Sequence, residues 1–230
     1  MLAVEGLNVA IQQTTILHDI DLSIPSNSIA GLIGRNGAGK TTLMRSLMGL
    51  IRITSGRIVF ENDDLTGAEA FIRARRGIGY MPEDRRLIPD LTVEENVLLP
   101  AWASAEPEAQ SRLQFIYERM PEVADFARRR ADQLSGGQQK LVALARALMS
   151  GRYLLLLDEP FEGVAPALAR RLVEVVADLR GSGLSVLLSE SDYTHSVELI
   201  DKLFVIERGA VTERPVTRPS PSQPGQEQSP

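Results

Sequence analysis

The run that most constrains this chain extends from Gly34 to Thr42 and reads Gly-Arg-Asn-Gly-Ala-Gly-Lys-Thr-Thr. It fits the phosphate-loop pattern G-x-x-x-x-G-K-[ST], with Gly34, Gly39, Lys40 and Thr41 at the fixed positions. The apolar stretch Ile29–Ile33 before it reads as a buried strand, and Leu43–Met48 after it reads as a helix. In such a loop the glycines let successive N–H groups converge on one point, and the helix N-terminus adds positive dipole there. Lys40 is then placed to reach the outer phosphates, and the Thr41 hydroxyl to ligate the Mg2+ that travels with them. The pattern implies an element that binds a nucleoside triphosphate.

The rest of the chain agrees with an α/β fold. Residues 2–11 and 16–24 alternate apolar and polar, as half-buried strands do. Ile58–Phe60 and Ile78–Met81 read as short strands. From Asp84 to Asp132 the pattern turns helical, with Thr92 and Glu95 forming a capping box and Pro107 and Pro121 punctuating later helices. Strands at Tyr153–Leu157, Leu184–Leu188 and Leu203–Ile206 then alternate with helices at Gln138–Met149, from Pro166, and at Thr194–Ile200. Alternation of this kind predicts a mainly parallel sheet. We expect one domain over residues 1–214, with an N-terminal antiparallel β element and a helical subdomain inserted at about 84–134. Residues 215–230 are rich in Pro, Ser and Gln and read as a disordered tail.

Composition removes several function classes. A formal net charge of −5 argues against a general nucleic-acid binder. Cysteine is absent, so there is neither a disulfide framework nor a thiolate metal site, as suits a reducing compartment. The opening residues do not read as a secretory signal, and no apolar run reaches the roughly 18 residues of a membrane span. A membrane function must come through a partner.

Two further motifs choose among the many phosphate-loop proteins. Leu154–Leu157 is an aliphatic strand that ends in Asp158-Glu159. Asp158 is placed to hold the metal shell, and Glu159 to polarise an attacking water. Leu134-Ser135-Gly136-Gly137-Gln138 stands just before a helix. Ser135 and Gln138 have the spacing of a capping box, and the two glycines leave backbone N–H groups bare at a helix start.

Lying between a phosphate loop and an Asp-Glu strand, this L-S-G-G-Q sequence resembles the signature of the ABC-type ATPases, and the resemblance runs to about Gly209. It implies a phosphate-loop NTPase fold that hydrolyses ATP with Mg2+. Gly34, Asn36, Gly37, Ala38, Gly39, Lys40, Thr41 and Thr42 would bind ATP, with Thr41, Asp158 and Glu83 at the metal and Glu159 as general base. It also implies a second ATP-binding subunit, like or unlike, paired head to tail. Ser135, Gly136, Gly137 and Gln138 would then act in trans on the partner's nucleotide. Transmembrane permease subunits would hold the chain at the cytoplasmic face of the membrane.

Within that family the chain is similar to the ATPases of branched-chain amino-acid importers. The supporting residues are Met81–Arg86, Leu91–Asn96 and Asp158-Glu159-Pro160 followed by Gly163–Pro166. Asp158–Phe161 with Gly163-Val164 also looks like the ATPase of lipopolysaccharide export, so that alternative stays open.

Four positions depart from the family pattern. Glu83 replaces a Gln that couples to the membrane domain, and Ser191 replaces the switch histidine, with His195 nearby. Ala165 replaces a seam Asp, and Ile11 takes the place of an adenine-stacking aromatic. The departures at Ser191, Ala165 and Ile11 allow a competing reading, a subunit that binds ATP but relies on a more complete ATPase for turnover. The arginine groups at 73/75/76, 85/86, 128–130 and 170/171 read as mostly solvated faces. Arg85 and Arg86 are the exception, as candidates to line a groove for a membrane partner.

Overall fold

The computed structural model describes residues 1–192 and 195–217. Strands β1 (Leu2–Ile11) and β2 (Thr14–Ile24) form a hairpin, and β3 (Ile29–Ile33) leads to helix α1 (Lys40–Leu47). Strand β4 (Ser55–Phe60), the two-residue β5 (Asp63–Asp64), α2 (Ala70–Arg75) and β6 (Ile78–Met81) follow. Helices α3 (Val93–Ser104), α4 (Ala109–Arg119), α5 (Pro121–Asp125) and α6 (Gly136–Ser150) precede β7 (Leu154–Asp158). The chain then runs through α7 (Pro166–Asp178), β8 (Ser185–Glu190), β9 (Lys202–Glu207) and β10 (Ala210–Arg214).

Two sheets result. One is antiparallel, in the order β2-β1-β4-β5; the other has six strands in the order β10-β9-β3-β8-β7-β6. All neighbours in the second are parallel except the β9–β10 pair. The chain is thus α/β, with a mainly parallel sheet beside an N-terminal antiparallel one.

The aliphatic strands are apolar on both sides because both faces of the parallel sheet are covered. On β7, Leu155 and Leu157 enter a core shared with α3–α7, while Leu154 and Leu156 enter one shared with α1 and the antiparallel sheet. Val186 and Leu188 of β8 divide from Leu187 in the same way. The period of 2 therefore sorts one continuous apolar run into two cores. Both Asp158 and Glu190 end such strands on the same side of the sheet, where β3 also releases the phosphate loop.

Local chemistry sets the helix starts. Thr92 Oγ1 accepts from the Glu95 N–H, and the Glu95 carboxylate accepts from the Thr92 N–H at 2.7 Å, completing the capping box ahead of α3. Pro121 opens α5 in its first turn, where a missing N–H costs nothing.

Three expectations need correction. Residues 195–199 form hydrogen-bonded turns and no α-helix; Ser196 O accepts from both Leu199 N and Ile200 N, which closes the segment in one tight turn. Thr194, where that helix was expected to begin, lies outside the described residues. An extra strand, β10, follows the Arg208-Gly209 turn; its half- to fully exposed residues give no buried period to read. Arg73 belongs to no solvated face. It is 2% exposed, and its guanidinium donates to the carbonyls of Ser46 and Leu47 at the end of α1 and of Leu65, Thr66 and Ala68. Of the expected tail, residues 215–217 carry no regular structure, and 218–230 lie outside the described residues.

Candidate functional site

The phosphate loop is a turn between β3 and α1, fixed at both ends. Gly34 N donates to Glu190 O at 3.1 Å, Ala38 N to Arg35 O at 3.0 Å, and Gly209 N to Ala38 O at 2.9 Å. Gly34 has no room for a side chain, since a Cβ there would stand 2.4 Å from Ile206 O. Gly39 caps α1 at φ 115°, a conformation that L side chains avoid. No side chain caps this helix and no acidic residue occupies its first turn. Its leading N–H groups and dipole therefore face the cleft without a capping side chain or an acid of their own first turn, which suits an anion.

A cleft of about 290 Å³ opens at that point. Asn36, Gly37, Gly39, Lys40, Thr41 and Thr42 line one side, and Glu83, Glu159 and Glu162 the other. Lys40 is buried, its Nζ 2.9 Å from Glu159 Oε1, 2.5 Å from Gly34 O and 3.2 Å from Arg35 O. Glu159 sits at φ 50°, a strained backbone for a non-glycine residue. Its N–H donates to Ser189, and its carbonyl accepts from buried Lys140 Nζ at 2.9 Å. Lys140 comes from α6, so the helix behind the L-S-G-G-Q turn also holds the Glu159 backbone. Burial lowers the Lys140 pKa.

Asp158 is fully buried between three hydroxyls. Ser189 Oγ lies at 2.8 Å and Thr41 Oγ1 at 3.2 Å from Oδ1, and Tyr80 OH at 3.3 Å from Oδ2. Burial pushes the Asp158 carboxyl above its ordinary range, against these donors. Burial, and next the Asp158 charge, push the Tyr80 phenol up as well. Burial followed by the charges of Glu162, Asp158, Glu159 and Asp84 raises Glu83. Thr41, Asp158 and Glu83 offer oxygen donors only, the set a hard divalent cation prefers. Among the described residues no group of three or more His, Cys, Asp or Glu side chains could hold a metal by itself. A hydroxyl, one or two carboxylates and phosphate oxygens are the donors Mg2+ commonly takes, so the residues fit that ion.

Ser191 reaches this group from the end of β8, its Oγ 2.8 Å from Asn36 Oδ1 and 3.3 Å from Glu159 Oε1. Behind it Glu190 is buried and accepts a short bond from Ser196 Oγ. Burial pushes the Glu190 carboxyl up to about 8, with the Asp192 and Glu159 charges adding to it. His195 lines a neighbouring cavity of about 190 Å³ with Ser191, Glu159 and Glu190, its ring 6.2 Å from that of Phe161.

The signature residues stand apart from this cleft. Ser135 Oγ accepts from Gln138 N, and Gln138 Oε1 accepts from Ser135 N at 3.0 Å, so the pair caps α6. Ser135 and Gly136 are exposed, while Gly137 is half-buried against Leu168. Ile11 is exposed at the end of β1 and is not part of the cleft lining. Ala165 is exposed at the start of α7.

The structure thus brings Lys40, Thr41, Asn36, Asp158, Glu159, Glu83 and Ser191 together and leaves Ile11, Ala165 and residues 135–138 outside the group. Sequence reasoning missed Tyr80, Ser189 and Lys140. None carried a distinguishing signal: Ser189 is one of two serines in β8 and follows the aliphatic run Val186–Leu188.

A sequence profile described as ABC transporter matches residues 17–162. The chain is 35% identical to the high-affinity branched-chain amino acid transport ATP-binding protein BraG of Pseudomonas aeruginosa, over 92% of this chain and 91% of that protein. It is 32% identical to the lipopolysaccharide export system ATP-binding protein LptB of Haemophilus influenzae, over 92% of this chain and 88% of that one. A nucleotide-free ATP-binding cassette of an ABC transporter superposes with a TM-score of 0.80 at 29% identity, covering 93% of this chain and 90% of its own. The chain belongs to the ABC transporter family, as an ATP-binding, ATP-hydrolysing subunit.

Proposed function

We propose that this ATPase drives import of branched-chain or related amino acids or small amides, with ATP held between two nucleotide-binding subunits. The observation that carries the catalytic part is the buried Lys40–Glu159 pair at the mouth of an uncapped helix. The triphosphate takes the α1 N–H groups and draws Lys40 Nζ away from Glu159 and Gly34 O. Glu159, its position fixed by Ser189 and Lys140, is then free to accept a proton from the attacking water. Thr41 and Asp158 would hold Mg2+ with Glu83 beside them, and the bound ion would supply charge neutralisation at the phosphates. Ser191 keeps Asn36 and Glu159 in register as a neutral hydrogen-bonding group.

Ser135, Gly136, Gly137 and Gln138 lie at an exposed helix start away from their own cleft, which supports a role on the nucleotide of a second subunit. Permease subunits then anchor the assembly at the cytoplasmic face of the membrane. A cleft of about 630 Å³ supports that contact: it is lined in part by Phe71, Pro100 and Tyr153, and the exposed rings of Phe71 and Tyr153 are apolar surface for a permease segment. Among the described residues no helix is long and apolar enough to cross a membrane.

Identity to the branched-chain ATPase supports the importer reading; identity to the lipopolysaccharide ATPase supports export as a second one. Uptake of labelled leucine, isoleucine and valine by cells lacking this chain separates them. Loss of uptake supports import, whereas normal uptake with lipopolysaccharide held at the inner membrane supports export.

A further inference from the structure

Tyr80, Asp158 and Ser189 form one polar row across three adjacent strands. β6, β7 and β8 lie side by side, and the face they turn to α1 is apolar through Ile78, Leu154, Leu156 and Leu187. By the period of 2, Tyr80, Asp158 and Ser189 come next on that face. Ser189 stands opposite Asp158 in the β7–β8 register, and Tyr80 opposite Leu156 in the β6–β7 register. The tyrosine ring spans the remaining two residues, about 6.6 Å at the strand rise. Asp158 is fully buried, and its carboxylate is held from both neighbouring strands. Ser189 Oγ donates to Oδ1 at 2.8 Å, and Tyr80 OH to Oδ2 at 3.3 Å. One donor on each oxygen fixes the carboxylate plane, which the broad outer torsion of an aspartate would otherwise leave loose. Thr41 is the third donor, at 3.2 Å, and the only one of the three in the proposed metal set. It would divide its oxygen between Asp158 and the ion, whereas the single hydroxyl protons of Tyr80 and Ser189 are both committed to Asp158. Neither Tyr80 nor Ser189 lines the nucleotide cleft. Tyr80 instead shares a cavity of about 180 Å³ with Thr41, Glu83 and Asp158.

We propose that Tyr80 and Ser189 are positioning residues for the divalent cation. By fixing both oxygens of Asp158 they raise the affinity of the nucleotide-loaded site for that ion and leave the nucleotide's own contacts unchanged. Partners that orient a metal ligand are typically worth about 10–100-fold in metal affinity. This rests on the reading above that Thr41 and Asp158 hold Mg2+.

The test uses the full chain, its Tyr80→Phe variant and its Ser189→Ala variant. Tyr80→Phe removes one oxygen and keeps the ring, so it carries the test should Ser189→Ala fail to fold. In Ser189→Ala the backbone carbonyl of residue 189 still accepts from Glu159 N. Each protein is loaded with the β,γ-imido analogue of ATP, at concentrations that leave little of it free, and titrated with Mn2+ in place of Mg2+. The electron paramagnetic resonance signal of the aqueous ion counts the Mn2+ left unbound. Affinity for the metal-free analogue is measured separately in EDTA. The parent holds one Mn2+ per bound nucleotide, more tightly than the free analogue does. Each variant holds it about tenfold less tightly, while metal-free affinity stays within about twofold of the parent. An unmoved Mn2+ affinity in either variant overturns the assignment of that residue, as does a metal-free affinity that falls in step. A parent that holds Mn2+ no better than the free analogue does overturns the Mg2+ reading itself, and both positioning roles with it.

Discussion

Lys40 Nζ and Glu159 Oε1 meet 2.9 Å apart with 5% and 7% of their side chains exposed. The cation proposed to bind phosphate and the carboxylate proposed to activate water are thus each other's counter-ions in one buried pair. Removing either partner leaves the other charged and buried, which costs about 3–5 kcal/mol in comparable pairs.

That pairing predicts non-additive energetics. Lys40→Ala abolishes tight ATP binding and also lowers thermal stability. Glu159→Gln reduces turnover about 100-fold or more, the usual worth of a general base, yet preserves ATP affinity. The double variant is more stable than the sum of the single losses allows. Chemical denaturation of all four proteins checks this, and strict additivity would show that the pair has no energetic coupling.

Glu190 predicts a pH effect on stability. Its carboxyl titrates at about 8 when folded, above its value in the unfolded chain, because burial disfavours the charged form. Between roughly pH 4.5 and 8 the folded state holds more protons than the unfolded state. The stability is therefore full below that window and is lost as pH rises through it. Melting temperature should fall by several degrees from pH 5 to pH 8, at about 2–4 °C per kcal/mol. Glu190→Gln keeps an acceptor for Ser196 and should flatten that slope; an unchanged slope would contradict the assignment.

Arg73 predicts a structural defect far from the chemistry. Its five carbonyl partners include the last turn of α1, the helix that begins with Lys40. Arg73→Met strands several buried acceptors and should destabilise the fold by about 3 kcal/mol or more. Turnover per folded molecule should change little at a temperature where the variant remains folded.

Much of the site is legible in sequence because its parts are contiguous. Gly34–Thr42 carries its own strand, turn and helix, and Asp158-Glu159 follows from where an aliphatic strand stops. What could not be read depends on segments that meet only in the fold. Tyr80 and Ser189 reach Asp158 from neighbouring strands β6 and β8, and Lys140 reaches the Glu159 carbonyl from α6. No spacing in the chain encodes those contacts. Arg73 misled for the same reason: within Arg73/Arg75/Arg76 nothing local distinguishes the one guanidinium that caps a helix end. At 195–199, helical spacing lost to a turn in which buried Ser196 bonds the Glu190 carboxylate.

On the reading proposed here, the Ser135–Gln138 turn of one copy of this chain completes the nucleotide site of a second copy. It is tested by the solution mass of the Glu159→Gln variant, which should bind ATP without consuming it, measured with and without saturating Mg-ATP. The variant should be a monomer that doubles in mass when Mg-ATP is added, and that stays single when Ser135→Arg is also present. A variant that binds ATP tightly and remains monomeric at every protein concentration would contradict pairing between like chains.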